Sequence, residues 1–481
     1  MSLLDVGQQV VREDGAGVSR KLAAQLAQRI EAEIISRGWP VGDVLGSEQE
    51  LRERFRVSRA VLREAVRLVE HHQVARMRRG PHGGLFVVAP DAGPAARALV
   101  MYLEYIDLSV EDLMEARRLI EPLVASRAAV TIGESGIERL RGVLAEEAEK
   151  RADPRAASQD ALHMVLGKLS GNPALELFAD VLTRLTTRYA VIRGGMSRED
   201  VVRGKTESHE RHTEIVDAVI AGAAGRAAAA VEADLAETTA WLLARHGPRR
   251  TTSGDDVPGR KLAEVVATRI RDDIVRRGWP VGLVLGSETD LLARYGISRA
   301  VLREAVRLVE YHGVARMRRG PGGGLVVAEP DPEACIDTMA LYLDYRGVTP
   351  EDLRVVREAI ELGALGRVVA RTDTAEVAGR LEAAIARTAE PRGPGRTGAD
   401  RFHAELAELS GNPLLVLFLR ILTELWARHA ASAPLPPPGE ESQATVVAVH
   451  RRILEAMVAG DDGVARHRMR RHLEALTTWY H

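Results

Sequence analysis

What this chain lacks narrows its function before anything in it does. It has one cysteine, Cys335, in 481 residues. A lone thiol closes no internal disulfide, which fits a reducing compartment. Aromatic residues make up only 4%, and Ala, Leu, Val, Arg and Glu dominate instead. That mix favours helices over sheets. No apolar run of about 18 residues appears. The opening MSLLDVGQQVVREDG has no apolar signal core, so the expectation is a cytoplasmic protein that neither leaves the cell nor spans a membrane. No charge sign is in excess, because 66 Lys+Arg against 68 Asp+Glu leaves −2. Any basic surface must therefore be local. Finally, there is no His-Glu-x-x-His pair, nucleophile elbow or phosphate loop. Hydrolase and nucleotide-cleaving chemistry have no motif to stand on.

What is present is an ordinary globular composition, 46% hydrophobic and 28% charged, long enough for three or four domains at about 100–200 residues each. The chain also repeats itself. SRAVLREAVRLVE occupies residues 58–70 and again 298–310, a shift of 298 − 58 = 240. The same shift carries Gly38-Trp39-Pro40 onto Gly278-Trp279-Pro280 and Ser170-Gly171-Asn172-Pro173 onto Ser410-Gly411-Asn412-Pro413. A period that long is a duplicated pair of domains rather than a solenoid. The expected boundaries are 15–90, 91–246, 260–330 and 331–481, joined by a polar, Gly/Pro-rich linker at 247–259.

The first domain of each half carries the most chemistry. Leu22, Leu26, Ile30 and Ile34 are spaced by four, as on an amphipathic helix. Ser47 with Glu50 forms a capping box for a short second helix, and Ser287 with Asp290 a weaker version of it. Ser58 and Ser298 cap a third helix. On that helix Leu62, Ala65, Val66 and Val69 take one face, and Arg59, Arg63 and Arg67 the other. Arg299, Arg303 and Arg307 repeat the stripe. Like charges four apart cost about 0.2–0.5 kcal/mol per pair. Phosphates and guanine edges would offset that, although a solvated arginine face fits the stripe taken alone. Two short strands follow around a glycine-rich turn holding Arg79 and His82, with Arg319 in the second copy. Helix, helix, basic helix and basic hairpin describe a winged helix-turn-helix, whose third helix enters the major groove.

The order PVGDVLGSEQELRERFRVSRAVLREAVRLVE…RRGPHGGLFVV resembles the GntR family of bacterial repressors, in its FadR-like branch. The resemblance implies that Arg59, Arg63, Arg299 and Arg303 contact operator bases. It also implies a nucleoid-associated bacterial protein. One departure is that the family often has a basic residue third in S-E-x-x-L, where this chain has Gln49 and Thr289.

The second domain of each half reads as helices with short breaks, and resembles the all-helical FCD ligand-binding domain. The predicted fold is therefore mainly α, with two winged helix-turn-helix domains each followed by a helical bundle. That family often holds a bundle-core metal with one Asp and three His. In the second half the resemblance gives His403, His450 and His472. The expected Asp position, four before His403, is Ala399; Asp400 lies three before, about 100° away around a helix. The first half keeps His163 and His212, with Asp234 third and Asp160 near the Asp position. Imidazole and carboxylate donors suit zinc or nickel, better in the second half. Arg117 and Arg357 each precede a Glu by four on an apolar helix. They fit either a small carboxylate effector or internal ion pairs. The Pro-rich stretches 391–398 and 431–440 read as loops.

The expected function is a ligand-responsive repressor bound to a double-stranded operator. One chain would act as a pseudo-dimer, or two chains as a homodimer. An architectural DNA binder that senses nothing, and a metal-dependent enzyme using the histidines, stay open as alternatives.

Overall fold

A computed structural model describes residues 22–78, 80, 83–153, 161–192, 198–244, 262–311, 313–318, 320, 322–330, 332–371, 374–388, 400–432 and 440–478. The linker 247–259 and the Pro-rich stretch 391–398 lie outside these residues, as does most of 431–440.

The first reader opens with α1 (residues 22–36), α2 (Glu48–Phe55) and α3 (Arg59–His71), then the hairpin β1 (Ala75–Arg78) and β2 (Gly84–Val87). The second repeats it as α11 (Leu262–Arg276), α12 (Glu288–Tyr295), α13 (Arg299–Tyr311), β3 (Ala315–Arg318) and β4 (Gly324–Val327). The caps explain the boundaries. Ser47 accepts from the Glu50 amide, and Glu50 accepts from the Ser47 amide at 2.7 Å. Ser287 and Asp290 do the same at 3.2 and 2.9 Å. The box expected to be weaker in the second copy is thus complete there too. Each hairpin is antiparallel, with Ala75 facing Val87 and Ala315 facing Val327. Gly84 lets the wing close onto the α1–α2 link, because a Cβ there would stand 2.9 Å from the Gly46 carbonyl oxygen.

The first sensor comprises α4 (Ala92–Tyr105), α5 (Val110–Thr131), α6 (Glu134–Lys150), α7 (Ala161–Leu169), α8 (Pro173–Ile192), α9 (Arg198–Ile220) and α10 (Ala224–Leu243). The second comprises α14 (Pro332–Tyr345), α15 (Pro350–Val369), α16 (Thr374–Ala386), α17 (Asp400–Leu409), α18 (Pro413–Ser432), α19 (Glu440–Val458) and α20 (Asp462–Thr478). Asn172 caps α8 as its motif predicts, accepting from the amides of Ala174 and Leu175 at 2.9 and 3.1 Å.

The two sensors share one continuous core. At its centre Phe178 and Phe418, related by the 240-residue shift, stack with ring centroids 4.0 Å apart and planes 3° from parallel. Each Asn cap reaches across the seam. Asn172 donates to the Asp352 carbonyl at 3.0 Å, and Asn412 to the Asp112 carbonyl at 3.1 Å. The halves are therefore related by an approximate two-fold axis inside one chain.

The readers sit crosswise on this body. Leu341 of α14 is buried in the core of the first reader, and Met101 of α4 in the core of the second. Trp39 donates to Asp344 at 3.0 Å, and Trp279 meets Tyr105 edge-on at 5.6 Å. Each reader thus rests on the first helix of the opposite half's sensor.

Candidate DNA-reading and metal-binding sites

The arginine stripe lies on the outer face of each recognition helix. In α3 the buried face is Leu62, Ala65, Val66 and Val69. The opposite face leaves the side chains of Arg59, Arg63 and Arg67 61%, 60% and 75% exposed. Arg299, Arg303 and Arg307 are likewise exposed. Glu48, at the start of α2, meets Arg59 at 2.7 Å and Arg63 at 3.4 Å. The Arg59 hydrogen bond holds the Glu48 carboxyl below its usual range. Glu288 stands 3.7 Å from Arg299 in the second reader. These carboxylates orient the guanidinium groups without burying them. Ser58 and Ser298 accept from the amides of Val61 and Val301 at 3.3 and 3.4 Å, so the serine hydroxyls cap the N-termini of these helices. Among the wing residues, Arg76 and Arg78 are exposed. Arg79, His82 and Arg319 lie outside the described residues.

The second sensor brings His403 from α17, His450 from α19 and His472 from α20 together in its core. All three are at least 95% buried, with exposures of 1%, 0% and 5%. Their Nε2 atoms converge: His450 to His472 at 2.9 Å, and His403 to His472 at 3.2 Å. Nitrogens bound to one zinc at about 2.0–2.1 Å in a tetrahedron stand about 3.3 Å apart, so the spacing fits a shared cation. The chemistry fits as well. Burial, reinforced by the neighbouring His403, pushes His472 down to about 3. Burial and the same neighbours hold His450 well below its ordinary value. Both rings are neutral donors at pH 7. His403 turns its Nδ1 to the Glu361 carboxylate. That directs Nε2 at the cluster, the arrangement that orients metal-bound imidazoles. Burial raises the Glu361 carboxyl, but His403 and Arg357 outweigh it and bring it to about 2. Phe402 stacks on His450 at 4.3 Å and fixes its plane.

The carboxylate expected beside this cluster is elsewhere. Asp400 is not among the converging donors. It lies 3.9 Å from Arg357, on the first turn of α17. One residue of helical rotation separates it from the position the resemblance assigns to the Asp.

In the first sensor His163, His212 and Asp234 converge, all three buried. Here each imidazole has a carboxylate behind it. Glu121 holds His163 Nδ1 at 2.8 Å, and Glu147 holds His212 Nδ1 at 3.0 Å. Arg211 takes one Asp234 oxygen at 2.9 Å. Burial works against a charged His163, yet Glu121 outweighs it and the pKa is raised. Asp160 lies outside the described residues. The sequence pattern missed Glu147, because α6 carries no motif that marks it. It read Glu121 and Glu361 only as partners for arginine.

Arg117 and Arg357 are internal ion pairs. Arg117 Nη2 meets Glu121 at 3.0 Å, and its Nη1 donates to Thr186 at 3.0 Å. Arg357 meets Glu361 at 2.5 Å. The two differ in their surroundings. Arg117 is 3% exposed, whereas Arg357 lines a pocket with Leu353, Arg354, Leu422, Trp426 and Leu473. No helix among the described residues is long and apolar enough to cross a membrane.

Known families and relatives are similar to this chain in sequence. The model for bacterial regulatory proteins of the gntR family covers residues 22–87 and 262–325, and the FCD domain model covers 112–237 and 352–475. The HTH-type transcriptional regulator LutR of Bacillus subtilis (strain 168) is 33% identical over 201 residues, 40% of this chain and 89% of that one. The putative L-lactate dehydrogenase operon regulatory protein of Escherichia coli (strain K12) is 27% identical over 226 residues, 46% of this chain and 86% of that one. Among solved structures, Streptococcus agalactiae GntR aligns over 46% of this chain and 99% of its own, at 23% identity and a TM-score of 0.34. These relatives are regulators rather than enzymes, and each match takes in less than half of this chain. The chain belongs to the gntR family of DNA-binding transcription regulators, and it carries the family's reader and the FCD domain twice in one polypeptide.

Proposed function

We propose that a single chain acts as a ligand-responsive repressor, offering both readers to the two half-sites of one pseudo-palindromic operator. The observation that carries this reading is the arginine stripe, presented twice on one two-fold body. The sequences of α3 and α13 are identical over their first 12 of 13 residues, so the half-sites should be similar. Arg59, Arg63, Arg299 and Arg303 read bases. Arg67, Arg307 and the wing residues Arg79, His82 and Arg319 hold phosphates. Ser47, Ser58, Ser287 and Ser298 set the helix starts against the backbone. Fusion replaces a second-order association by an intramolecular one at high effective concentration.

The second sensor holds a divalent cation, zinc or nickel, on His403, His450 and His472. Bound there, the metal supplies a positive centre for a small carboxylate effector. Arg357 faces the same pocket and adds a second cationic contact. In the first sensor Asp234 replaces an imidazole and Arg117 is fully engaged, so that site prefers harder cations and holds them less tightly. Selecting bound duplexes from a random pool tests the operator reading: two similar half-sites protected by one chain are expected. Elemental analysis of the purified chain tests the metal, with close to one equivalent expected and its loss in His450→Ala. A selected duplex that needs two chains, or a full-length protein that binds no zinc or nickel, sinks the corresponding part.

A further inference from the structure

We infer that the seam between the two sensors is keyed to accept the unlike half and to reject a copy of the same half. The inference rests on the reading that the chain forms its own pair, and it supplies the physical device. In a two-fold seam between identical surfaces, every contact appears twice. Here the Asn caps do repeat across the seam, but at two other places the two appearances of a contact are built from different residues.

At one edge Arg346 of the second half pairs with Glu176 of the first at 2.9 Å. The 240-residue shift converts Arg346 to Ile106 and Glu176 to Val416. The symmetry-related edge is therefore apolar, and Ile106 and Val416 both pack against the shared core. Two first halves would set Ile106 against Glu176 at both edges. Two second halves would set Arg346 against Val416. Either way a charge loses its partner and gains a hydrocarbon neighbour.

Near the centre the key is one of shape. A Cβ on Gly363 would fall 2.3 Å from Leu119 Cδ1, so Leu119 of α5 fills the space a side chain there would take on α15. The shift relates Gly363 to Leu123 and Leu119 to Ala359. The first half thus presents two leucines, and the second half an alanine and a glycine. Two first halves would press Leu119 against Leu123, and two second halves would leave a void between Ala359 and Gly363. Close-packed interfaces tolerate neither.

The test uses the full chain, with sedimentation equilibrium for mass and thermal unfolding for coupling. The wild type is expected at one-chain mass. Glu176→Arg and Arg346→Glu should each lower Tm, and the double charge exchange should recover most of the loss. Gly363→Leu should lower Tm, with recovery on adding Leu119→Ala. If like halves pair, the predicted signs change. Glu176 and Arg346 would then be uncoupled and their losses additive, and Gly363→Leu would fill a void and leave Tm unchanged or higher. Either result overturns the inference. A two-chain mass with coupling intact would uphold the key, and would overturn only the reading that one chain forms the pair.

Discussion

At the residue scale, the proposed function gives each exposed arginine of the stripe a share of operator binding and little of the stability. Among the described residues Arg63 pairs with Glu48 at 3.4 Å, on a solvated face, and such pairs contribute at most about 1 kcal/mol to folding. As a base-edge contact, Arg63→Ala should cost about 1–3 kcal/mol of operator affinity and relax specificity at one base pair. Arg303→Ala should do the same in the other half-site. Fluorescence anisotropy on operators mutated one half at a time checks both. An equal loss on every duplex would make these phosphate contacts instead. Within the second sensor, Glu361→Gln should weaken metal binding by about 10–100-fold, the usual effect of losing an orienting carboxylate. Chelator competition reads that directly. The three histidines, on three separate helices, were legible only through the resemblance to the FCD domain. Glu147, by contrast, reaches His212 from 65 residues away, and only tertiary packing brings it there.

At the scale of elements, local chemistry decided nearly everything that the sequence made visible. The recognition helix begins at its serine cap because Ser58 satisfies the Val61 amide, and its apolar stripe has one face to bury. Ser47→Ala should remove the hydroxyl half of a reciprocal cap, leaving the bond from the residue 47 amide to Glu50, and cost about 0.5–2 kcal/mol of reader stability, measured by denaturant unfolding with the m-value unchanged. Ser287→Ala should cost a similar amount. The shorter Asp290 side chain reaches the Ser287 amide at 2.9 Å, close to the 2.7 Å of its longer counterpart. Ranking the second box below the first underrated how closely a helix N-terminus brings these groups together. Asn172 shows the limit of such reading. Its role as a cap follows from Ser-Gly-Asn-Pro, but its second bond, to Asp352 of the opposite sensor, depends on a seam that no local pattern encodes.

At the scale of the whole molecule, the crosswise seating of the readers predicts that, in the proposed repressor, each sensor addresses the half-site read by the opposite half. Arg428 on α18 meets Glu31 of the first reader at 3.2 Å, and Glu31 holds His72 at 2.6 Å. His72 is the C-cap of α3. Burial raises the Glu31 carboxyl, but His72 and Arg428 outweigh it, so it stays ionised between them. The same helix, α18, contributes Leu422 and Trp426 to the pocket that Arg357 lines. A change in that pocket thus has a short contiguous path to the recognition helix of the first reader. The second reader is wired differently. The shift puts Arg271 where the first reader has Glu31, and Arg188 of α8 instead meets Asp272 and Glu104, each at 2.5 Å. Arg428→Gln should therefore weaken protection of the half-site read by α3, by about 0.5–2 kcal/mol, the usual range for a coupling residue that touches no ligand. Arg188→Gln should act on the half-site read by α13. Hydroxyl-radical footprinting on an operator with one half altered, so that the two readers are told apart, separates the outcomes. If Arg428→Gln loosened the half-site read by α13, each sensor would govern the reader of its own half, and the crosswise contacts would be packing without command.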